Sequence, residues 1–511
     1  MKRMIINILS NNLGKLFEMV LGFIIVPFLI SKLTSTGYGV IILMESFIIF
    51  FEMAAVGLRS ALARFVGLHI SKGKDNEVNS YLANGQIILY IFTFLFSIVG
   101  VSLLLNISYL FSIPLSLQVH AQFVLLMLIL GFAINVIFTP YWAILYAKQR
   151  FDLINIYSSA GSLCRFILIL VFYSIFNSKL EYYGIIFLVS VIIERMLVFQ
   201  SAKKIFSAFQ INFKNVSYVK LRQMWQFMLS IIVNKVSELF YDTADTVIIN
   251  RIYGSYSNAI YAVSLKSIGA LKRLIQYSVT VLSPTFTELF SVDEIDKIKS
   301  LFCVFTKLSA LISIPFCVLL AIFAREFVTF WVGQNFLTSV NILYFHIIAI
   351  VPVLVFSICI SLTTAFGKVK IPGRMALLLG VIKIGVSILF ALHFNMGLVG
   401  FALGTAISQT IQTAFFLPYY TSKIVKINFF KYYLAGFIKP VLLGLVWGAI
   451  IFYIKSFLHI NLLYLLYSLP MFVIVYYTIS YFIILNNNER VYLITLSKRI
   501  SSKLITSKGI A

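Results

Sequence analysis

A chain of 511 residues that is 61% hydrophobic and 11% charged, with a mean hydropathy of +0.99, carries more apolar surface than a soluble core can bury. It reads as a bilayer protein, and its long apolar runs without alternation exclude a membrane β-barrel. The net charge of +24 invites a nucleic-acid partner, but the placement of that charge excludes one.

A spanning helix needs about 20 mostly apolar residues, and about fourteen such stretches follow one another. They lie at 11–31, 38–58, 82–106, 121–146, 154–176, 183–200, 225–249, 258–284, 304–324, 338–365, 375–393, 399–420, 434–455 and 462–485. The predicted fold class is therefore an all-α integral membrane protein. Lys2 and Arg3 ahead of the first run resemble a signal peptide. Asn11, Asn12, Lys15 and Glu18 interrupt that run, however, and no small-residue cleavage site follows, so an uncleaved first helix is expected. Pro27 and Pro140 fall inside helices 1 and 4, where each removes a backbone hydrogen bond and favours a bend.

With the N-terminus inside, inner segments hold about 27 Lys and Arg and outer loops about five (Lys32, Lys179, Arg251, Arg325 and Lys455). This positive-inside asymmetry places both termini in the cytoplasm and makes the basic clusters solvated membrane flanks. The largest inner loop, near 201–224, carries Lys203, Lys204, Lys214, Lys220 and Arg222. It reads either as an interfacial amphipathic segment or as a plain solvated linker. The tail after Asn486, with Arg490, Lys498, Arg499, Lys503 and Lys508, is expected on the inner face. Cys164, Cys303, Cys317 and Cys359 lack metal spacing and are expected to be free buried thiols.

The chain carries a repeat. Of the fifteen basic residues before position 205, five have another basic residue 220 positions on: Lys2 and Arg222, Lys15 and Lys235, Lys148 and Lys368, Arg150 and Lys370, Lys203 and Lys423. Glu18 matches Glu238 at the same offset. The period predicts an N-lobe of helices 1–6 (1–204), a cytoplasmic linker (205–224) and a C-lobe of helices 7–12 (225–424). Helices 13 and 14 and a basic tail (425–511) follow. Six helices per repeat is even, so the halves are related by a pseudo-twofold along the membrane normal, with the working site expected between them.

Ionisable residues inside the helices point to that site, since each costs about 2.5–3.5 kcal/mol at the bilayer centre. Lys235, Glu238, Asp242 and Asp245 follow spacings that share one face of helix 7, and Lys15 and Glu18 form the shorter equivalent on helix 1. Lys266 and Arg273 project together on helix 8 beside Lys272. Glu45, Glu52 and Arg59 are seven apart on helix 2, while Arg165 and Lys383 sit mid-helix in helices 5 and 11. Intrahelical ion pairs that pin neighbouring helices account for any single one of these. The surplus of cations over carboxylates asks instead for an anionic ligand. Arg59, Glu194, Arg195 and Lys439, near helix ends, are expected to snorkel to the interface.

No phosphate-binding loop of the Gly-x-x-x-x-Gly-Lys-Ser/Thr type occurs, and the five histidines are dispersed without metal-ligand spacing. No catalytic residue, metal or cofactor is expected, and the outer loops are short for a glycosyltransferase or polymerase.

The chain resembles bacterial polysaccharide flippases of the Wzx type, within the multidrug/oligosaccharidyl-lipid/polysaccharide exporter superfamily. The likeness rests on Asn11 to Arg64 with Thr36-Gly37-Tyr38-Gly39, on the inner turn Ala147-Lys148-Gln149-Arg150-Phe151, and on the stretch from Asp242 through Asp245, Asn250 and Tyr261 to Pro284. It implies transfer of an undecaprenyl-pyrophosphate-linked oligosaccharide repeat unit from the cytoplasmic to the outer leaflet of the inner membrane. O-antigen or lipopolysaccharide biosynthesis is the setting it suggests. It also implies membrane lipids as surroundings, H⁺ or Na⁺ as coupling ion, and the polysaccharide polymerase and chain-length regulator as partners. The expected substrate-binding residues are Lys15, Lys235, Lys266, Lys272, Arg273, Arg165 and Lys383, and the expected ion-coupling residues are Glu18, Glu238, Asp242 and Asp245. Helix 1 offers a lysine alone, without the bidentate phosphate grip of an arginine. A multidrug/cation antiporter of the same fold and a membrane glycosyltransferase or polymerase remain the alternatives.

Overall fold

The computed structural model describes residues 2–70, 72–210, 216–280, 293–458 and 462–487, with residues 213, 286, 289–290 and 489–490. Within these, side chains are described except at 2–13, 54, 230, 233–238, 242, 273–280, 458 and 462–469. The architecture is all-helical, with no strand among the described residues. Fourteen helical segments follow the predicted order: α1 (2–33), α2 (35–70), α3 (Asp75–Leu105), α4 (115–147), α5 (Phe151–Ile175), α6 (Glu181–Ile205), α7 (218–253), α8 (255–280), α9 (Ile295–Ile322), α10 (339–365), α11 (370–393), α12 (398–425), α13 (429–458) and α14 (Leu462–Ile483). Nine helices among the described residues are long and apolar enough to cross a membrane, with α1 and α2 run together. Helices α7, α8, α12 and α14 are outside that set.

Short irregularities divide the elements where the sequence leads one to expect them. Helix α4 breaks at Phe138, one residue before Thr139-Pro140, because proline cannot donate to the preceding turn. Pro27 stays inside α1. The four cysteines are free, with Cys317 and Cys359 buried.

By packing, the chain divides into two compact units: residues 1–270 with 370–408, and 271–369 with 409–511. This division differs from the expected lobes, because α7 and α11 pack with the first six helices. Glycines explain part of it. Gly57 of α2 lies so close to α7 that a Cβ there would come within 2.9 Å of the Met228 carbonyl oxygen. Gly39 touches the start of α8, where a Cβ would fall 1.7 Å from the Ser255 oxygen. Gly380 of α11 seats Phe240 of α7 in the same way, at 2.9 Å. In the second unit, Phe302, Phe356 and Tyr432 form a buried aromatic core. Lys307 of α9 there holds Glu489 in a bridge of 2.7 Å.

The connection between the expected halves is tied down. Asn79 of α3 donates to the Ala208 carbonyl at 2.7 Å and accepts from the Gln210 amide at 3.2 Å. Asn84 accepts from the Ser217 amide, and Lys220 bonds both Ser80 (2.8 Å) and Glu77 (2.7 Å). Its ends belong to α6 and α7, and α3 straps the residues between. The tail beyond 490, with Lys498, Arg499, Lys503 and Lys508, lies outside the described residues.

The backbone echoes the sequence repeat. Thr34, between α1 and α2, has φ 66° and ψ 167°, and Gly254, between α7 and α8, has φ 81° and ψ 179°. They are 220 residues apart, as are Gly73 (φ 65°) and Asp293 (φ 58°). Only glycine adopts the Thr34 conformation without strain, which costs roughly 1–3 kcal/mol at such a residue. Thr34→Gly is therefore expected to raise the apparent melting temperature of the purified protein; an unchanged or lower value would show that the turn is not strained.

Candidate functional site

Three groups of charges within the helices of the first unit bear on the expected site, each built by different helices. The first lines a cavity of about 150 Å³. Helix α1 contributes Glu18, α2 contributes Tyr38 and Glu45, α5 contributes Ser162 and Arg165, α6 contributes Tyr183, and α8 contributes Lys266. The rest of its wall is apolar. Lys15 sits 3.0 Å from Glu18, whose other oxygen accepts from Ser158 at 2.6 Å. The Tyr183 hydroxyl donates to Glu45. The Lys266 ammonium stands over the Tyr38 ring, 5.4 Å from its centroid.

Arg165 differs from the other charges of the cavity. Its Nε donates to Ser190 at 3.3 Å and its guanidinium lies over the Phe187 ring at 4.5 Å. Neither contact neutralises it, and no carboxylate pairs with it among the described residues. A guanidinium held in an apolar bundle by a hydroxyl and a ring retains donors and charge for an anion.

The second group lies on the faces of α2, α4 and α6. Arg59 pairs with Glu52, which also accepts from Asn135 at 2.6 Å, and Arg195 pairs with Glu194 at 2.6 Å. The Arg195 and Glu194 side chains are only 13% and 19% exposed. Each of these cations has a carboxylate of its own helix within reach.

The third group is closed. Lys383 of α11 and Asp245 of α7 form a bridge of 2.8 Å with side chains 0% and 4% exposed. Tyr261 and Thr405 donate to the same carboxylate, at 2.6 and 3.2 Å. Lys383 also donates to the carbonyls of Phe240 and Tyr241, at 2.9 and 3.2 Å. Those carbonyls sit at the end of the first half of α7, where Thr243 (φ −128°, ψ −29°) interrupts the helix and leaves its last acceptors without intrahelical donors. Lys383 thus caps a broken helix and pairs with the start of the next. The break falls between Asp242 and Asp245 of the expected face.

Of the expected site residues, Arg165, Lys266 and Glu18 come together, with Lys15 beside Glu18. Lys383 and Asp245 bind one another instead. Lys272 is half-buried further along α8 and does not line the cavity. The side chains of Lys235, Glu238, Asp242 and Arg273 lie outside the described residues. Tyr38 and Tyr183 were not anticipated. Tyr38 precedes Glu45, Glu52 and Arg59 by multiples of seven, a spacing that puts it on their face and gave the available signal. Tyr183 carried none.

Removing Lys383 alone would strand a buried carboxylate, a loss of about 3–5 kcal/mol. Lys383→Met is expected to lower the melting temperature sharply, and adding Asp245→Asn is expected to restore much of it. A double variant no better than the single one would refute the pairing.

Comparison with known proteins agrees with this architecture. Residues 5–290 match the family model described as "Polysaccharide biosynthesis protein". An uncharacterised membrane protein of Bacillus subtilis (strain 168), EpsK, is 23% identical over 437 residues, covering 85% of this chain and 86% of the relative. The lipid II flippase MurJ in an inward closed conformation superposes with a TM-score of 0.67 at 15% identity, over 93% of this chain and 99% of that one. An inward-facing multidrug resistance transporter of the MATE family, in the MOP superfamily, gives 0.63 at 14% identity, over 81% and 94%. At these identities the structural likeness establishes the fold, that of the MOP superfamily.

Proposed function

The chain belongs to the polysaccharide biosynthesis protein family of multi-pass membrane proteins, and from that membership we propose that it is a flippase for lipid-linked oligosaccharides. Its cargo is an undecaprenyl-pyrophosphate-linked repeat unit, moved from the cytoplasmic to the outer leaflet of the cytoplasmic membrane by alternating access, with both termini inside. The observation that carries the reading is Arg165, a membrane-embedded guanidinium without a carboxylate partner among the described residues, in one cavity with Lys266 and Glu18, the partner of Lys15. A cavity of about 150 Å³ takes a phosphoryl group and a few waters, not an oligosaccharide. Its role is accordingly to grip the pyrophosphate while sugar and lipid lie elsewhere.

For ion coupling by H⁺ or Na⁺, Glu18 is the favoured member of the expected set. It lines the cavity and touches Lys15 and Ser158, whereas Asp245 is enclosed beneath Lys383.

Loss of one charged hydrogen-bond donor weakens anion binding by about 1.5–3 kcal/mol, roughly 10- to 100-fold. Arg165→Gln is expected to cut surface glycan by at least tenfold at unchanged protein level, with lipid-linked repeat units accumulating on the inner leaflet. Wild-type glycan in that variant would remove Arg165 from the site. Glu18→Gln is expected to make flipping in proteoliposomes insensitive to an imposed pH or Na⁺ gradient; preserved gradient dependence would place coupling elsewhere.

A further inference from the structure

A second cleft, of about 510 Å³, opens where α2, the end of α3 and the end of α7 meet. Its walls are apolar, with Phe47, Leu103, Phe111, Ile248 and Ile252 among them, and one charged side chain, Arg251, lines it. Phe47 and Phe111 are buried and pack with ring centroids 5.1 Å apart, forming a fixed floor. The Arg251 carbonyl accepts from Ser112 at 2.9 Å, which anchors the end of α7 to the loop after α3. Its guanidinium has no hydrogen bond or ion pair among the described residues, and the residue is exposed.

The large side chains exposed nearby are Leu105, Tyr109, Leu110 and Ile252. In a membrane-spanning bundle such a surface faces lipid, so the mouth of the cleft is continuous with the bilayer. An apolar slot beside a free cation is complementary to an amphiphile with a hydrocarbon chain and an anionic head. The charge count then chooses among amphiphiles. One guanidinium balances one phosphodiester, while a pyrophosphate carries more charge than a single arginine meets. A lipid of zero net charge gains the slot but leaves the cation without a net counter-charge.

We propose that this cleft is a binding site for an anionic phospholipid, with an acyl chain in the slot and its phosphodiester on Arg251. The site is separate from the cargo cavity and independent of the flippase reading. By the sequence topology Arg251 lies on the outer side, so the bound lipid belongs to the outer leaflet.

The test uses the full-length protein in detergent, titrated with phosphatidylglycerol or phosphatidylcholine and followed by native mass spectrometry and thermal unfolding. One phosphatidylglycerol is expected to remain bound and to raise the melting temperature, as any ligand selective for the folded state does; phosphatidylcholine is expected to do neither. Arg251→Gln should weaken phosphatidylglycerol binding at least tenfold. Ile248→Trp, which fills the slot and keeps the charge, should weaken it comparably. Equal binding of the two lipids, or full selectivity retained in Arg251→Gln, would overturn the proposal. Undecaprenyl phosphate displacing phosphatidylglycerol at lower concentration would also overturn it, by assigning the cleft to the cargo lipid.

Discussion

A charge within a bilayer must be neutralised, capped or given a polar space to face, and this constraint organises the membrane interior of the protein. Glu52–Arg59 and Glu194–Arg195 meet it by pairing along their own helices. Asp245 and Lys383 meet it by enclosure, with two hydroxyls on the Oδ2 of Asp245 and two backbone carbonyls on the Lys383 ammonium. Arg165 meets it only halfway, through a serine and an aromatic ring. That difference is what supports the proposal that Arg165 meets a ligand.

Glycine decides where the helices meet. Close approaches at Gly39, Gly57 and Gly380 bring α2, α7, α8 and α11 near enough for backbone and short side chains to touch. Such contacts place Lys383 against the interrupted end of α7 and Lys266 against Tyr38. The cavity is thus a by-product of tight packing around it: small residues draw the helices together, and bulky charged ones keep a polar space open between α1, α2, α5, α6 and α8.

Much of this was legible in the sequence. Apolar run length gave the order of all fourteen helices, because the cost of exposing peptide groups to lipid leaves little freedom. The heptad-spaced charges of α2 foretold a polar face, and the 220-residue offset reappears as matched turn conformations at Thr34 and Gly254. The pairing of Asp245 with Lys383 was not legible, since it joins helices distant in sequence and depends on a break at Thr243 that no proline or glycine announces. The pairing of Arg195 with Glu194 was open to a reader of the sequence, since the two are adjacent on α6.

The contact at Gly39 bears on how such a bundle comes apart. There, main chain lies against main chain, with only a long 3.5 Å bond from Asn258 to the Gly39 oxygen alongside. Gly39 itself has no side chain to withdraw, so parting the two backbones there gives up mainly dispersion contacts. One residue back, the Lys266 ammonium of α8 stands over the Tyr38 ring, and that cation–ring contact is what a parting of the two helices has to break.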